Sequence, residues 1–237
     1  GTFAILYGAH PIPIGNSYRP GYLARPDEAG RFPVVIVIPG LSGLSSHVKD
    51  LCRRLARRGY ASLSPDLYGS GDPLETYSAK TDREILSDLD ECYEFVQSDD
   101  VFWAIPERIG LLGLDVGGRF GLILAATRPW VASAVVVSTP LTGDEDRGHK
   151  LAELLDRIPV PLLGLYGAAD ELISAETVDE AQNRNPSGQW LLYDGSKHDF
   201  LDDDSDQYEP AAASDAFTRI TQFFQATLPP PETEDLG

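Results

Sequence analysis

The sequence predicts an α/β fold, a mostly parallel sheet with helices on both faces, and three observations predict it. Short apolar runs alternate with helix-period segments along nearly the whole chain. One run, Pro33–Ile38, is continuously apolar rather than alternating, the pattern of a strand covered on both faces. The length, 237 residues at 42% hydrophobic composition, suits one domain with a sizeable core.

In chain order, Thr2–Tyr7 and Tyr22–Arg25 are short extended segments separated by Pro- and Gly-rich turns, and they are expected to pair as an antiparallel edge. Pro33–Ile38, ended by Pro39-Gly40, is the first central strand. Val48–Arg58 carries apolar residues at helical spacing and is closed by Gly59. Ala61–Ser64 is the next strand and runs into the turn Pro65–Gly69. The alternation repeats as helix Asp82–Gln97, strand Ile109–Leu114, helix Gly117–Thr127 and strand Ala132–Ser138. It continues as a helix near Lys150–Arg157, strand Pro161–Tyr166, a helix near Ser174–Asn183, strand Trp190–Tyr193 and helix Ala211–Ala226. The expectation is one domain over residues 1–227, followed by a Pro- and Glu-rich disordered tail over 228–237.

Charge narrows the function. A net charge of −18 argues against partners that present phosphate, whether nucleic acid or an anionic membrane. The acidic run Asp202, Asp203, Asp204 and Asp206 reads as a hydrated face rather than a metal site. Cys52 and Cys92 fall in helical segments without metal-type spacing and are expected to be core thiols. No run is long enough to cross a bilayer, and the first residues lack the basic start and apolar run of a signal peptide. A cytoplasmic protein with neutral or cationic partners is expected; the sequence does not distinguish monomer from homodimer.

The chemistry is carried by Gly110-Leu-Leu-Gly-Leu-Asp115-Val-Gly-Gly118, an apolar strand that breaks at glycines and passes directly into a helix. It has the form G-x-D-x-G, the pattern of a nucleophile elbow with Asp115 at the raised position. The competing reading is an aspartate capping an ordinary helix. Two residues further along favour the elbow, because Asp170 and His198 follow in the chain order nucleophile, acid, histidine. Each lies just past a predicted strand, so three loops should meet at the carboxyl edge of the sheet, where open α/β sheets bind ligands. The backbone N–H groups of Leu41 and Val116 are the candidate oxyanion hole.

These motifs resemble the dienelactone hydrolase family over roughly Tyr22–Phe224. The resemblance rests on Ile36–Gly43, Leu55–Gly69, the elbow, Gly167-Ala-Ala-Asp170 and Gly195-Ser-Lys-His198-Asp-Phe200. It implies an α/β-hydrolase fold with no cap domain, acting on small esters or lactones without metal or cofactor. Three positions depart from the family. Asp115 stands where it places cysteine or serine, Gly40 where the type enzyme has a glutamate, and Asp202 where that enzyme has an arginine for a substrate carboxylate. The elbow is also similar to that of epoxide hydrolases and haloalkane dehalogenases, whose nucleophile is an aspartate. Those enzymes commonly have tryptophan where Val116 stands, and the interval Pro140–Pro159 is too short for their cap. Tyr68, Tyr77 and Tyr18 are the candidates to replace a cap tyrosine, and each reads equally as a packing aromatic.

A carboxylate needs no base to activate it at neutral pH. Attack on an ester carbonyl would give a mixed anhydride that mostly reverts, because carboxylate leaves more readily than alkoxide. Attack on the carbon of an epoxide or alkyl halide gives a stable ester, which water activated by His198 can cleave while Asp170 orients the imidazole. The first expectation is therefore hydrolysis through an aspartyl ester. Two alternatives stay open: a lyase, cyclase or isomerase using Asp115 and His198 as acid and base, or an inactive binding protein or nucleophile-substituted variant of an ester or lactone hydrolase.

Overall fold

The structure, a computed structural model, describes residues 2–231. In order, the chain forms β1 (Ile5–Ala9), β2 (Ile12–Ile14), β3 (Ser17–Arg19), β4 (Gly21–Pro26), β5 (Phe32–Ile38), α1 (Ser46–Arg57), β6 (Ala61–Pro65), α2 (Pro73–Ala79), α3 (Asp82–Gln97) and β7 (Ala104–Leu114). There follow α4 (Gly117–Thr127), β8 (Val131–Val137), α5 (Leu151–Leu155), β9 (Leu162–Gly167), α6 (Ala175–Arg184), β10 (Gln189–Tyr193) and α7 (Pro210–Thr227).

Eight strands build one sheet in the order β1-β4-β6-β5-β7-β8-β9-β10. From β6 to β10 every neighbouring pair is parallel, and β1 and β4 add the expected antiparallel edge. The continuous apolar run in β5 has the reason given by its sequence. Val34, Ile36 and Ile38 enter one buried cluster with α3 and α4, while Val35 and Val37 enter a second with α1 and α7. A strand covered on both faces has no polar side to alternate. Cys52 and Cys92 are buried and unpaired, and burial pushes both thiols up to about 12.

Some elements were not anticipated. The hairpin β2–β3 is too short to carry a strand signal, and α2 begins in a Gly- and Pro-rich stretch that reads as loop, started by Asp72 accepting from the Leu74 N–H. The helix near Lys150–Arg157 is a five-residue turn of helix, Leu151–Leu155. Between β8 and β9 it is joined only by a 3₁₀ turn at Glu145–Arg147, so no cap domain is inserted there. The tail expectation needs a correction at its start. Leu228 is fully buried and the Pro229 carbonyl accepts from Arg108 at 2.9 Å, so packing continues past residue 227. The rest of that tail, 232–237, lies outside the described residues. Among the described residues no helix is long and apolar enough to cross a membrane.

Candidate active site

β7 delivers Asp115 directly into α4, and the glycines of the motif are required by space. A Cβ on Gly113 would run into Gly118, one on Gly117 into the Ile38 carbonyl, and one on Gly118 into Thr139. The close approach leaves Asp115 at φ +51°, a conformation that costs a side-chain-bearing residue energy. Asp115 does not cap α4; the residue at that position is Val116, which makes no side-chain cap bond. Two bonds hold the strained turn: the Asp115 N–H donates to the Val137 carbonyl at 2.9 Å, and Thr139 Oγ1 donates to the Asp115 carbonyl at 2.8 Å.

The three residues taken from the sequence come together. His198 Nε2 lies 3.0 Å from Asp115 Oδ1, and His198 Nδ1 lies 2.7 Å from Asp170 Oδ2. Asp170 is fixed by its own turn, where Oδ1 accepts the N–H groups of Leu172 and Ile173. Burial works against a charged His198, but the hydrogen bonds and charges of Asp115 and Asp170 together outweigh it and raise the imidazole to about 9. At neutral pH this is an imidazolium held between two carboxylates.

Of the two expected backbone donors, Leu41 lines the cavity that holds Asp115 and His198, whereas Val116 follows Asp115 in the chain and is not part of that lining. Neither N–H has a protein acceptor among the described residues. Gly40 gives the elbow its room, since a Cβ there would lie 3.0 Å from the Leu114 carbonyl oxygen and 3.1 Å from Asp115 Cβ. Asp115, His198 and Leu41 line an open cavity of about 80 Å³. Its wall also includes His47, Ser138, Asp199 and Asp202.

Ser138 was missed. It follows β8 as Asp170 and His198 follow their strands, and that position was the available signal. It adopts φ +53° and donates from Oγ to the His198 carbonyl at 2.6 Å. Ser138 and Thr139 thus tie His198 and Asp115 to the same strand end. Asp202, which its acidic run assigns to a hydrated face, instead forms part of the cavity wall. Burial raises the Asp199 carboxyl, and burial lowers the His47 imidazole despite Asp202 and Asp203 beside it. His47, Asp202 and Asp203 could offer a metal ion one ligand atom each, all within 4.8 Å of one another.

The candidate tyrosines separate. Tyr18 is 72% exposed on β3, Tyr77 donates to Asp144 at 2.7 Å, and Tyr68 has a buried hydroxyl with no partner. Burial raises the Tyr68 phenol above its usual range, and the Asp115 charge adds to this.

The family model for the dienelactone hydrolase family matches residues 20–228. The chain belongs to the dienelactone hydrolase family. An Escherichia coli protein provisionally named carboxymethylenebutenolidase is 31% identical over 242 residues, covering 94% of this chain and 88% of the relative. A Bradyrhizobium protein provisionally named 2-oxo-3-(5-oxofuran-2-ylidene)propanoate lactonase is 30% identical over 222 residues, covering 87% and 88%. The crystal structure of a Klebsiella pneumoniae protein provisionally named dienelactone hydrolase superposes with a TM-score of 0.85 at 30% identity, covering 93% of this chain and 98% of that one.

As a dienelactone hydrolase family member, the protein has a feature that its motifs did not announce. Asp82 is fully buried at the start of α3 and accepts from Arg119 on α4 and Arg147, with His149 Nδ1 3.1 Å away. Burial alone would raise this carboxyl, yet Arg119, then His149 and Arg147, hold it below the usual carboxylate range. The network anchors the loop after β8, the segment that stands in place of a cap.

Proposed function

We propose that this family member hydrolyses a small organic epoxide-type substrate through a covalent ester on Asp115. The observation that carries the reading is the placement of His198 Nε2 3.0 Å from Asp115 Oδ1, with the imidazole raised to about 9 by the two carboxyl groups beside it. In the first step an Asp115 carboxylate oxygen bonds to the substrate carbon, the carbon–oxygen bond of the ring breaks, and the oxygen takes the proton of His198. Once esterified, Asp115 no longer carries the charge that helped raise the imidazole, so His198 is a neutral base in the second step.

There, a water gives its proton to His198 and the hydroxide attacks Asp115 Cγ. The tetrahedral oxyanion can be met by the N–H groups of Leu41 and Val116. Collapse breaks the ester, the released alkoxide takes the proton of the new carboxylic acid, and Asp115 returns as carboxylate with His198 protonated. Atoms, charge and protons balance as substrate plus water giving a diol. Asp170 keeps the imidazole oriented throughout. An alkyl halide would use the same nucleophile but would not use the proton on His198, and the cavity offers no indole donor for a departing halide.

The test is a single turnover with small aliphatic epoxides in heavy-oxygen water, followed by mass analysis of the Asp115 peptide. One heavy oxygen in the Asp115 carboxylate is expected. Turnover with an unlabelled carboxylate would overturn the covalent step and favour Asp115 as an acid–base group. No turnover of epoxides, together with no substrate-linked mass on an Asp115 ester, would favour a binding role.

A further inference from the structure

The chemical class of the substrate follows from the charge of the cavity. Asp115, Asp199 and Asp202 all line it, and no lysine or arginine does. The one cationic group, His198, is already shared by Asp115 and Asp170. Asp202 is held in place, with Oδ1 accepting the Asp204 N–H at 2.9 Å, and the Asp203 carboxylate converges on the same rim beside His47. An aliphatic stretch of the wall comes from Leu41, Val48, Leu114, Val137 and Leu201, alongside the neutral hydroxyls of Ser42, Ser45 and Ser138. A cavity with an aliphatic wall and uncompensated carboxylates at its rim attracts a cation attached to a short hydrocarbon and repels an anion.

We infer that this site takes a small substrate bearing an ammonium group next to its aliphatic portion, and that it discriminates against carboxylates. The inference rests on the proposed reading of this cavity as the substrate site. The Bradyrhizobium relative, by contrast, is named for a propanoate, an anion. Asp199 and Asp202, both on the loop after His198, would face the ammonium while the reactive carbon sits at Asp115.

The experiment measures binding and requires no turnover, so it succeeds or fails independently of the ester mechanism. Dissociation constants for propylammonium and propionate are measured by NMR titration of the whole protein at low salt in the presence of a chelator. Propylammonium is expected to bind at least about tenfold more tightly. Asp202→Asn and Asp199→Asn should each remove much of that preference. Asp179→Asn, an equal charge change at an exposed residue of α6, should keep it. Equal or tighter propionate binding overturns the inference, as does an equal loss in Asp179→Asn, which would assign the preference to the general field of an acidic surface. A repeat with zinc chloride in place of chelator covers the competing cation: zinc uptake that depends on Asp202, with no preference for propylammonium, also overturns it.

Discussion

His198 Nε2 stands 3.0 Å from Asp115 Oδ1, a distance that joins two residues 83 positions apart in the chain. The contact makes the histidine a cation at rest, because the same ring also meets Asp170 at 2.7 Å. A serine or cysteine at the elbow would leave one carboxylate beside the ring instead of two. The aspartate therefore alters the proton inventory of the site as well as the group presented at the elbow.

The first prediction concerns that proton. In NMR the His198 ring should titrate near pH 9, and in Asp115→Asn the midpoint should fall by more than one unit. A wild-type midpoint at the ordinary value of 6.5 would contradict the ion-pair geometry.

Stability follows with a fixed sign. His198 binds its proton more tightly folded, about 9, than its ordinary 6.5, so its contribution is complete below pH 6.5 and is lost as pH rises through about 9. The ring is mostly buried, and the shift corresponds to about 3 kcal/mol. Urea unfolding of wild type should weaken by an amount of that order between pH 6.5 and 10, and Asp115→Asn should weaken less.

Replacing the elbow residue tests the donors around it. In Asp115→Ser, His198 and Asp170 can act as a base and its orienting group, with the Leu41 and Val116 N–H groups free to meet an oxyanion. Hydrolysis of p-nitrophenyl acetate should rise about 100-fold over wild type. An unchanged rate would mean that the N–H groups do not converge on a reacting carbonyl.

Ser138 is a positioning residue. Ser138→Ala removes the 2.6 Å bond to the His198 carbonyl, at a stability cost of about 1 kcal/mol. On an epoxide substrate kcat should fall about tenfold with KM unchanged. Ser138→Gly relieves the positive φ, so it should recover stability without recovering kcat. Parallel losses of stability and kcat in both variants would point to a purely structural role.

The buried charge network should be costly to break. Asp82→Ala leaves Arg119, only 4% exposed at its side chain, without its carboxylate, and unfolding free energy should drop by about 3–5 kcal/mol. Denaturant midpoints measure this directly. A change below about 1 kcal/mol would show that water replaces the lost partner.

The sequence by itself determined the alternation of strands and helices, the double-faced burial of β5 and the order Asp115, Asp170, His198, because periodicity and glycine punctuation are local properties of the chain. It also determined that the three residues lie past the ends of β7, β9 and β10, hence at one edge of a parallel sheet. The pairing of Asp82 with Arg119 and Arg147, the seat of Ser138 under His198 and the turn of Asp202 into the cavity were decided by tertiary structure alone. Each joins residues brought together only when the helices, strands and loops assemble, and no spacing in the chain encodes such a distance. The charge of His198 belongs with them, because it depends on two carboxylates reaching one ring at 2.7 and 3.0 Å in a partly buried site.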